Sequence, residues 1–249
     1  MGRLINATLP DSSAIGIRHF VTPSGQLVCV GQPVDLLDRI PGSAQLPISS
    51  EAAKLELKRF VDFSAALAAL IILAPLFAVL AALIKLTSPG PVFFKQSRPG
   101  LHRRPFVMWK FRTMREGAEK QEESLRGEGG LFFKPRNDPR VTGVGRFLRK
   151  YSLDELPQFI NVLTGEMCLV GPRPILWHEL DRFGGPEQMR RFDMRPGLTC
   201  IWQVSGRSNT TDEARMTYDL QYVDEWSLMS DFKLLLRTVP VVLRGEGAV

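Results

Sequence analysis

Two adjacent carboxylates, Asp154 and Glu155, stand in the stretch YSLDELPQFINVL, which otherwise reads as the start of an amphipathic helix. Side-by-side carboxylates suit Mg²⁺, which takes one or two protein carboxylates and completes its shell with phosphate oxygens and water. A carboxylate is also one of the side chains that can act as a nucleophile. Cations lie on both sides: Arg146, Arg149 and Lys150 come just before the pair, and Gly171 to Pro174, GPRP, brings Arg173 after it. Arg binds phosphate bidentately, so this composition suits a phosphate ester brought to a carboxylate or to a metal. A structural reading competes. Ser152 with Glu155 fits the S-x-x-E capping box, and acidic residues at a helix start gain about 0.3–1 kcal/mol each. Pro157 bears on the frame: with Ser152 as cap its missing N–H costs a helical bond, whereas with Asp154 near the cap it costs nothing. The residues alone leave both readings open.

Whatever positions this pair includes an unusual segment. From Phe63 to Ile84 the chain reads FSAALAALIILAPLFAVLAALI, 22 residues without a charge. At about 1.5 Å per residue such a helix just crosses a hydrocarbon layer of roughly 30 Å. Pro75, at its centre, removes a backbone donor and implies a kink. Lys58 and Arg59 precede the segment, and Lys85, Lys95, Arg98, Arg103, Arg104 and Lys110 follow it. By the positive-inside rule both ends are then cytoplasmic, which a straight span cannot satisfy. A helix that enters, bends at Pro75 and returns does satisfy it, with Lys85 snorkelling to the interface.

The remainder implies a compact mixed domain. Residues 1 to about 50 hold one strand-like pair, IRHFV and LVCVG, separated by TPSGQ, and so predict a hairpin. LPISSEAAKLELKRF reads as a polar helix start capped by Ser49 or Ser50. VFF and FVMW, joined by a Gly, Pro and Arg turn, predict a second hairpin, and Arg115 to Gly130 a mobile loop. Three later segments carry a helical period: Leu156, Phe159, Ile160 and Leu163; Thr211 to Trp226; and Met229, Phe232, Leu236 and Val239. The formal charge of +6 favours anionic partners. Nucleic acid is excluded, because the cations gather beside an apolar membrane element and carry no nucleic-acid-binding motif. Cys29, Cys168 and Cys200 lack CxxC pairing, and His19, His102 and His178 lack metal-ligand spacing.

Ordered blocks tie these features together: KRFVDF, the apolar segment with its central Pro, SPGPVFFKQSRPG, WKFRTM, NDPRVTGVGRFLRKYSLDELPQFINVLTGEMCLVGPRP and MRPGLTCIWQVSGRS. Together they resemble the bacterial sugar transferases called monotopic phosphoglycosyl transferases, over some 180 of 249 residues, Lys58 to Arg237. The resemblance implies transfer of a sugar 1-phosphate from a nucleotide sugar, UDP-linked in this reading, to polyprenyl (undecaprenyl) phosphate, initiating exopolysaccharide, capsule or O-antigen assembly. It implies Asp154 as a nucleophile forming an aspartyl phosphosugar, and Glu155 as its acidic partner holding Mg²⁺. Arg149 and Arg207 match basic residues of the family's phosphate site, with Lys110, Arg112 and Arg173 as further diphosphate contacts. IWQVSGRS is closer to the branch that transfers hexose phosphates such as glucose or galactose. Where relatives often carry Ser before the kink proline, this chain has Ala74. Residues 1–50 match neither the minimal domain nor the multi-span extension of longer relatives.

The architecture expected is α+β and mostly helical. Residues 1–50 form an N-terminal extension, 51–87 a linker helix and a re-entrant membrane helix kinked at Pro75, and 88–249 a catalytic domain on the cytoplasmic face of the bacterial inner membrane.

Overall fold

The computed structural model describes residues 18–21, 27–30, 50–118, 138–180, 185–205 and 211–245. The chain divides into two units, Met1–Ile48 and Ser49–Val249. In the first, β1 (Arg18–Val21) and β2 (Leu27–Val30) pair antiparallel with Arg18 opposite Val30, the hairpin expected from the two strand-like runs.

The second unit opens with a helix pair, α1 (Ser50–Ile72) and α2 (Ala74–Thr87), bent by 61° at the break. The break falls at Leu73 (φ −88°, ψ 1°) rather than at Pro75. Pro75 lies in the first turn of α2, where a helix has no partner for the N–H that proline lacks, so the residue starts the second arm instead of disrupting it. Among the described residues no single helix is long and apolar enough to cross a membrane, but the bent pair passes that test together.

β3 (Phe93–Pro99) and β4 (Pro105–Phe111) form the second expected hairpin, with Phe93 opposite Phe111 and Lys95 opposite Trp109. Lys95 Nζ lies 4.1 Å from the centre of the Trp109 ring, a cation–π contact. After it come α3 (Gly143–Lys150), a 3₁₀ turn (Leu153–Glu155), α4 (Gln158–Thr164), β5 (Cys168–Val170), α5 (Trp177–Leu180) and α6 (Pro186–Met189). A 3₁₀ turn (Arg190–Asp193), β6 (Gly197–Thr199), α7 (Ile201–Ser205), α8 (Asp212–Asp224) and α9 (Leu228–Arg244) complete the unit. β5 and β6 pair in parallel. Mostly helical with small two-stranded sheets, the architecture is α+β, as expected. Most of the charged stretch Arg115 to Gly130, and Ser49, lie outside the described residues.

Two cores organise the unit. One joins Ala66 of α1 to Phe106 and Met108 of β4, Val162 of α4, Leu169 and Val170 of β5, Tyr222 of α8 and Leu234 of α9. The other joins Leu80 and Ile84 of α2 to Phe111 of β4 and Leu148 of α3, with Leu153 and Leu156 packed against it. Leu153 and Leu156 bracket Asp154 and Glu155, so the second arm of the bent pair is part of the seat beneath the carboxylates. On α9 the periodic residues Met229, Phe232, Leu236 and Val239 form the exposed face, because Asp231 and Leu234 turn toward the domain.

Lys58 and Arg59, read from the sequence as cations flanking the apolar segment, are structural ties. Lys58 is buried, its ammonium 2.6 Å from Asp231 Oδ2 and donating also to the Val170 carbonyl at 3.0 Å. Arg59 donates to the carbonyls of Val162 and Leu163 in the last turn of α4, where carbonyls lack i+4 helical partners. One face of α1, marked by buried Lys58, Asp62 and Ala66, lies against the domain, which draws both cations inward. Removing one partner of a buried ion pair costs about 3–5 kcal/mol, whereas apolar replacement of both is often neutral. Asp231→Ala should therefore destabilise the protein far more than Lys58→Met combined with Asp231→Leu, read as thermal midpoints in detergent. Equal losses would show that the pairing is not what matters.

Candidate active site

The carboxylates sit in a turn, not on a helix. Leu153–Glu155 is a single 3₁₀ turn and α4 begins only at Gln158, with Pro157 as its N-cap. Pro157 therefore lies before the first helical residue and costs nothing. Ser152 adopts the left-handed conformation (φ 53°) and makes no capping bond to the turn, so the S-x-x-E pattern does not form a capping box. Glu155 N and Leu156 N instead donate to the carbonyls of Ser152 and Leu153, at 3.2 and 3.3 Å. Asp154 and Glu155 are both half-buried, so a ligand can reach a site in which water screens charge only partly.

Three cations from three elements surround the pair. Lys110 continues the inward series Phe106, Met108 along β4, as the two-residue period of a strand requires, and donates to Glu155 Oε1 at 3.0 Å. Arg173, just after β5, places NH2 3.6 Å from the same oxygen and its guanidinium 4.9 Å from the centre of the Trp202 ring. Burial opposes the charge of Arg173, but its negative neighbours, Glu155 foremost, together outweigh that and raise its pKa. Arg149, in the last turn of α3, donates from Nε to Thr113 Oγ1 at 2.9 Å. Burial lowers its pKa, and the charges of Asp154 and Asp138 oppose that shift. Lys110, Arg149 and Arg173 outnumber the two carboxylates of the turn itself, a balance that suits a further anion such as a diphosphate.

Arg112 is placed elsewhere. Its NH2 donates to the Ser88 carbonyl and hydroxyl, both at 2.8 Å, so it ties the end of α2 to the strand rather than facing Glu155. Arg207 lies outside the described residues.

Two residues not singled out from sequence complete the arrangement. Asn161 is fully buried; its side chain accepts from Trp109 N at 3.0 Å and donates to the Val107 carbonyl at 2.7 Å, pairing α4 with the edge of β4 as another strand would. A lone amide in the apolar run FINVL was its only sequence signal. Thr113 receives Arg149 and, through its carbonyl, Thr142 N at 3.0 Å. Gly145 permits this close packing, since a Cβ there would lie 2.1 Å from the Thr113 carbonyl oxygen.

Asp154 and Glu155 offer the hard oxygen donors Mg²⁺ prefers, and among the described residues no third His, Cys, Asp or Glu joins them. The pair therefore fits a Mg²⁺ that arrives with phosphate oxygens and keeps its waters, not a cation caged by protein.

A paired-carboxylate turn, ringed by anchored Lys and Arg and seated on a bent apolar helix pair, has the composition that suits phosphate esters beside an apolar element. The family model described as "Bacterial sugar transferase" matches residues 53–245, and the chain belongs to that family. It is similar to the galactosyl transferase CpsE of Streptococcus agalactiae, 44% identical over 195 residues, which cover 77% of this chain and 43% of that protein. The exopolysaccharide production protein ExoY of Rhizobium meliloti is 42% identical over 198 residues, covering 77% of this chain and 87% of that one. The UDP-glucose:undecaprenyl-phosphate glucose-1-phosphate transferase of Caulobacter vibrioides is 41% identical over 230 residues, covering 89% and 81%. The chain thus spans less than half of the first relative and most of the other two.

Left-handed backbone costs a non-glycine residue about 1–2 kcal/mol, and a β-branched side chain suffers most. Ser152→Val should therefore lower the thermal midpoint well below that of Ser152→Gly. If the two variants unfold together, the left-handed turn at Ser152 is not what holds the pair.

Proposed function

We propose that the protein transfers a hexose 1-phosphate from a UDP-sugar to undecaprenyl phosphate at the cytoplasmic face of a bacterial inner membrane, the first step of an extracellular or capsular glycan. The observation that carries this reading is the seat of Asp154 and Glu155: three cations around them, and the core of a bent apolar helix pair below. Such a site can receive a water-soluble diphosphate from one side and a lipid phosphate from the other. Relatives named for UDP-glucose, galactose and undecaprenyl phosphate support the same substrate classes.

In this mechanism an Asp154 oxygen attacks the sugar-bearing phosphorus of the donor. The bond from that phosphorus to the bridging oxygen breaks, UMP leaves with the electron pair, and an aspartyl phosphosugar forms. An oxygen of undecaprenyl phosphate then attacks the same phosphorus, the aspartyl–phosphorus bond breaks, and Asp154 is restored as a carboxylate. Arg149 and Arg173 hold the phosphate oxygens and balance the charge that develops on them. Lys110 holds Glu155 in place. Glu155 would hold a Mg²⁺ arriving with the donor, which would supply further neutralisation of the diphosphate charge.

Two features support seating at a membrane surface. The bent pair α1–α2 suits a re-entrant element that enters and leaves on one side. On α9, exposed Met229, Phe232, Leu236, Val239 and Leu243 share the helix with Lys233, Arg237 and Arg244, the composition of an interfacial helix.

Asp154→Asn should abolish UMP release and transfer of label from UDP-hexose to undecaprenyl phosphate, while the protein stays folded. A fully active variant refutes the nucleophile, and label released to water without the lipid would make the protein a hydrolase. For the membrane geometry, cysteines at the exposed positions Lys54 and Lys95 should react with an impermeant thiol reagent from the same side of sealed vesicles. Labelling from opposite sides would replace the re-entrant arrangement with a span.

A further inference from the structure

Arg173 stands between Pro172 and Pro174, so its own N–H is the single amide donor of that tripeptide. That donor and the carbonyl of the same residue are both taken by one ion pair. Arg173 N donates to Asp219 Oδ1 at 3.3 Å, and Arg191 NH2 donates to the Arg173 carbonyl at 2.6 Å. Arg191 NH2 also donates to Asp219 Oδ2 at 2.6 Å, closing a ring around a single residue's backbone. Asp219 comes from α8 and Arg191 from the 3₁₀ turn after α6, and their side chains are only 5% and 3% exposed.

Desolvating two charges costs several kcal/mol per ion, so such a pair is weak evidence of a gain in stability. Its geometry is spent on one residue. Pro174 already restricts Arg173 to extended backbone, and the ring fixes where the Arg173 side chain begins. From there the guanidinium needs only its rotamer, which the Trp202 face supports, to reach Glu155.

We infer that Asp219 and Arg191 are positioning residues for the transfer reaction, acting through the backbone of Arg173 to hold its guanidinium beside Glu155. The inference rests on the proposed function, in which that guanidinium meets the donor phosphates.

A double-mutant cycle in the full-length protein tests it, because Arg173→Ala removes the positioned side chain and leaves the ring around its backbone intact. Wild type, Asp219→Asn, Arg173→Ala and the double variant are compared by kcat/KM for the UDP-hexose donor, by Kd for UDP and by thermal midpoint. A small displacement of a contacting group can cost up to about 10²-fold, so Asp219→Asn alone should lower kcat/KM by about tenfold or more and weaken UDP. In the Arg173→Ala background the same change should alter kcat/KM and Kd less than about twofold, while the thermal midpoint falls as far as before. Where Asp219→Asn fails to fold, Arg191→Lys, which keeps the buried charge, replaces it in the cycle with the same expectation. Equal fold-losses in both backgrounds would make the ring merely structural and overturn the inference, as would an Arg173→Ala protein with wild-type turnover and UDP affinity. A wild type inert toward UDP-hexoses and undecaprenyl phosphate overturns the transferase reading and this inference together.

Discussion

The arrangement depends on one buried ion pair, Lys58 with Asp231. It ties α1 to α9 through an Nζ–Oδ2 contact of 2.6 Å, and its partners extend the tie: Tyr222 OH bridges Asp231 Oδ1 and the Val170 carbonyl at 2.7 Å each, and Trp226 Nε1 donates to Asp231 at 3.2 Å. One turn further along α1, buried Asp62 accepts from Leu169 N. Four elements therefore meet at a point where any axial slip of α1 strands a charge in a dry interior. Apolar packing tolerates small slides because it is not directional, whereas a desolvated and hydrogen-bonded charge has one acceptable position. The pair thus sets where the apolar helix leaves the domain.

That setting reaches the carboxylates through short steps. α1 fixes the start of α2, α2 packs Leu80 and Ile84 against Phe111 and Leu148, and Leu153 and Leu156 close over the same core. Arg112 adds a polar tie from the end of α2 to the strand that carries Lys110. The face of the molecule that suits a membrane and the face that suits a phosphate ester are consequently two sides of one core. For the proposed reaction this matters, because donor and acceptor reach the same carboxylate from different phases.

Much of the fold was legible because it rests on local pattern. The apolar runs VFF and FVMW with the turn between them, the break in the uncharged segment near Pro75, and the helical period of the last segment each survive in the structure. Of the two frames left open for the S-x-x-E stretch, the capping box does not form, because left-handed Ser152 and Pro157 favour a single tight turn and α4 begins after the proline. Lys58 was read as a flanking charge since its partner lies 173 residues away, and nothing local announces such a pairing. Lys110 and Arg112 looked equivalent by composition and neighbourhood. They differ because Lys110 still belongs to the strand, while Arg112 follows its end and turns to the Ser88 loop. Asn161, Thr113 and the Arg191–Asp219 pair were invisible for the same reason as Lys58: their partners are distant in sequence.

Each cation of the site is held by something other than the ligand: Arg149 by Thr113, Arg173 by its clamped backbone and Trp202, Lys110 by a strand paired along its full length and braced by Asn161. A flexible Lys or Arg loses up to about 2 kcal/mol of rotamer entropy when it is fixed. Here much of that loss has already occurred on folding, so it is not drawn from the binding of a diphosphate. Donors already aimed at the place where charge develops also reorganise little as the reaction proceeds, the condition under which electrostatic stabilisation contributes most to rate. On this argument the long-range ties, which add little evident stability, account for why a chain would keep charges buried at a distance from its carboxylates.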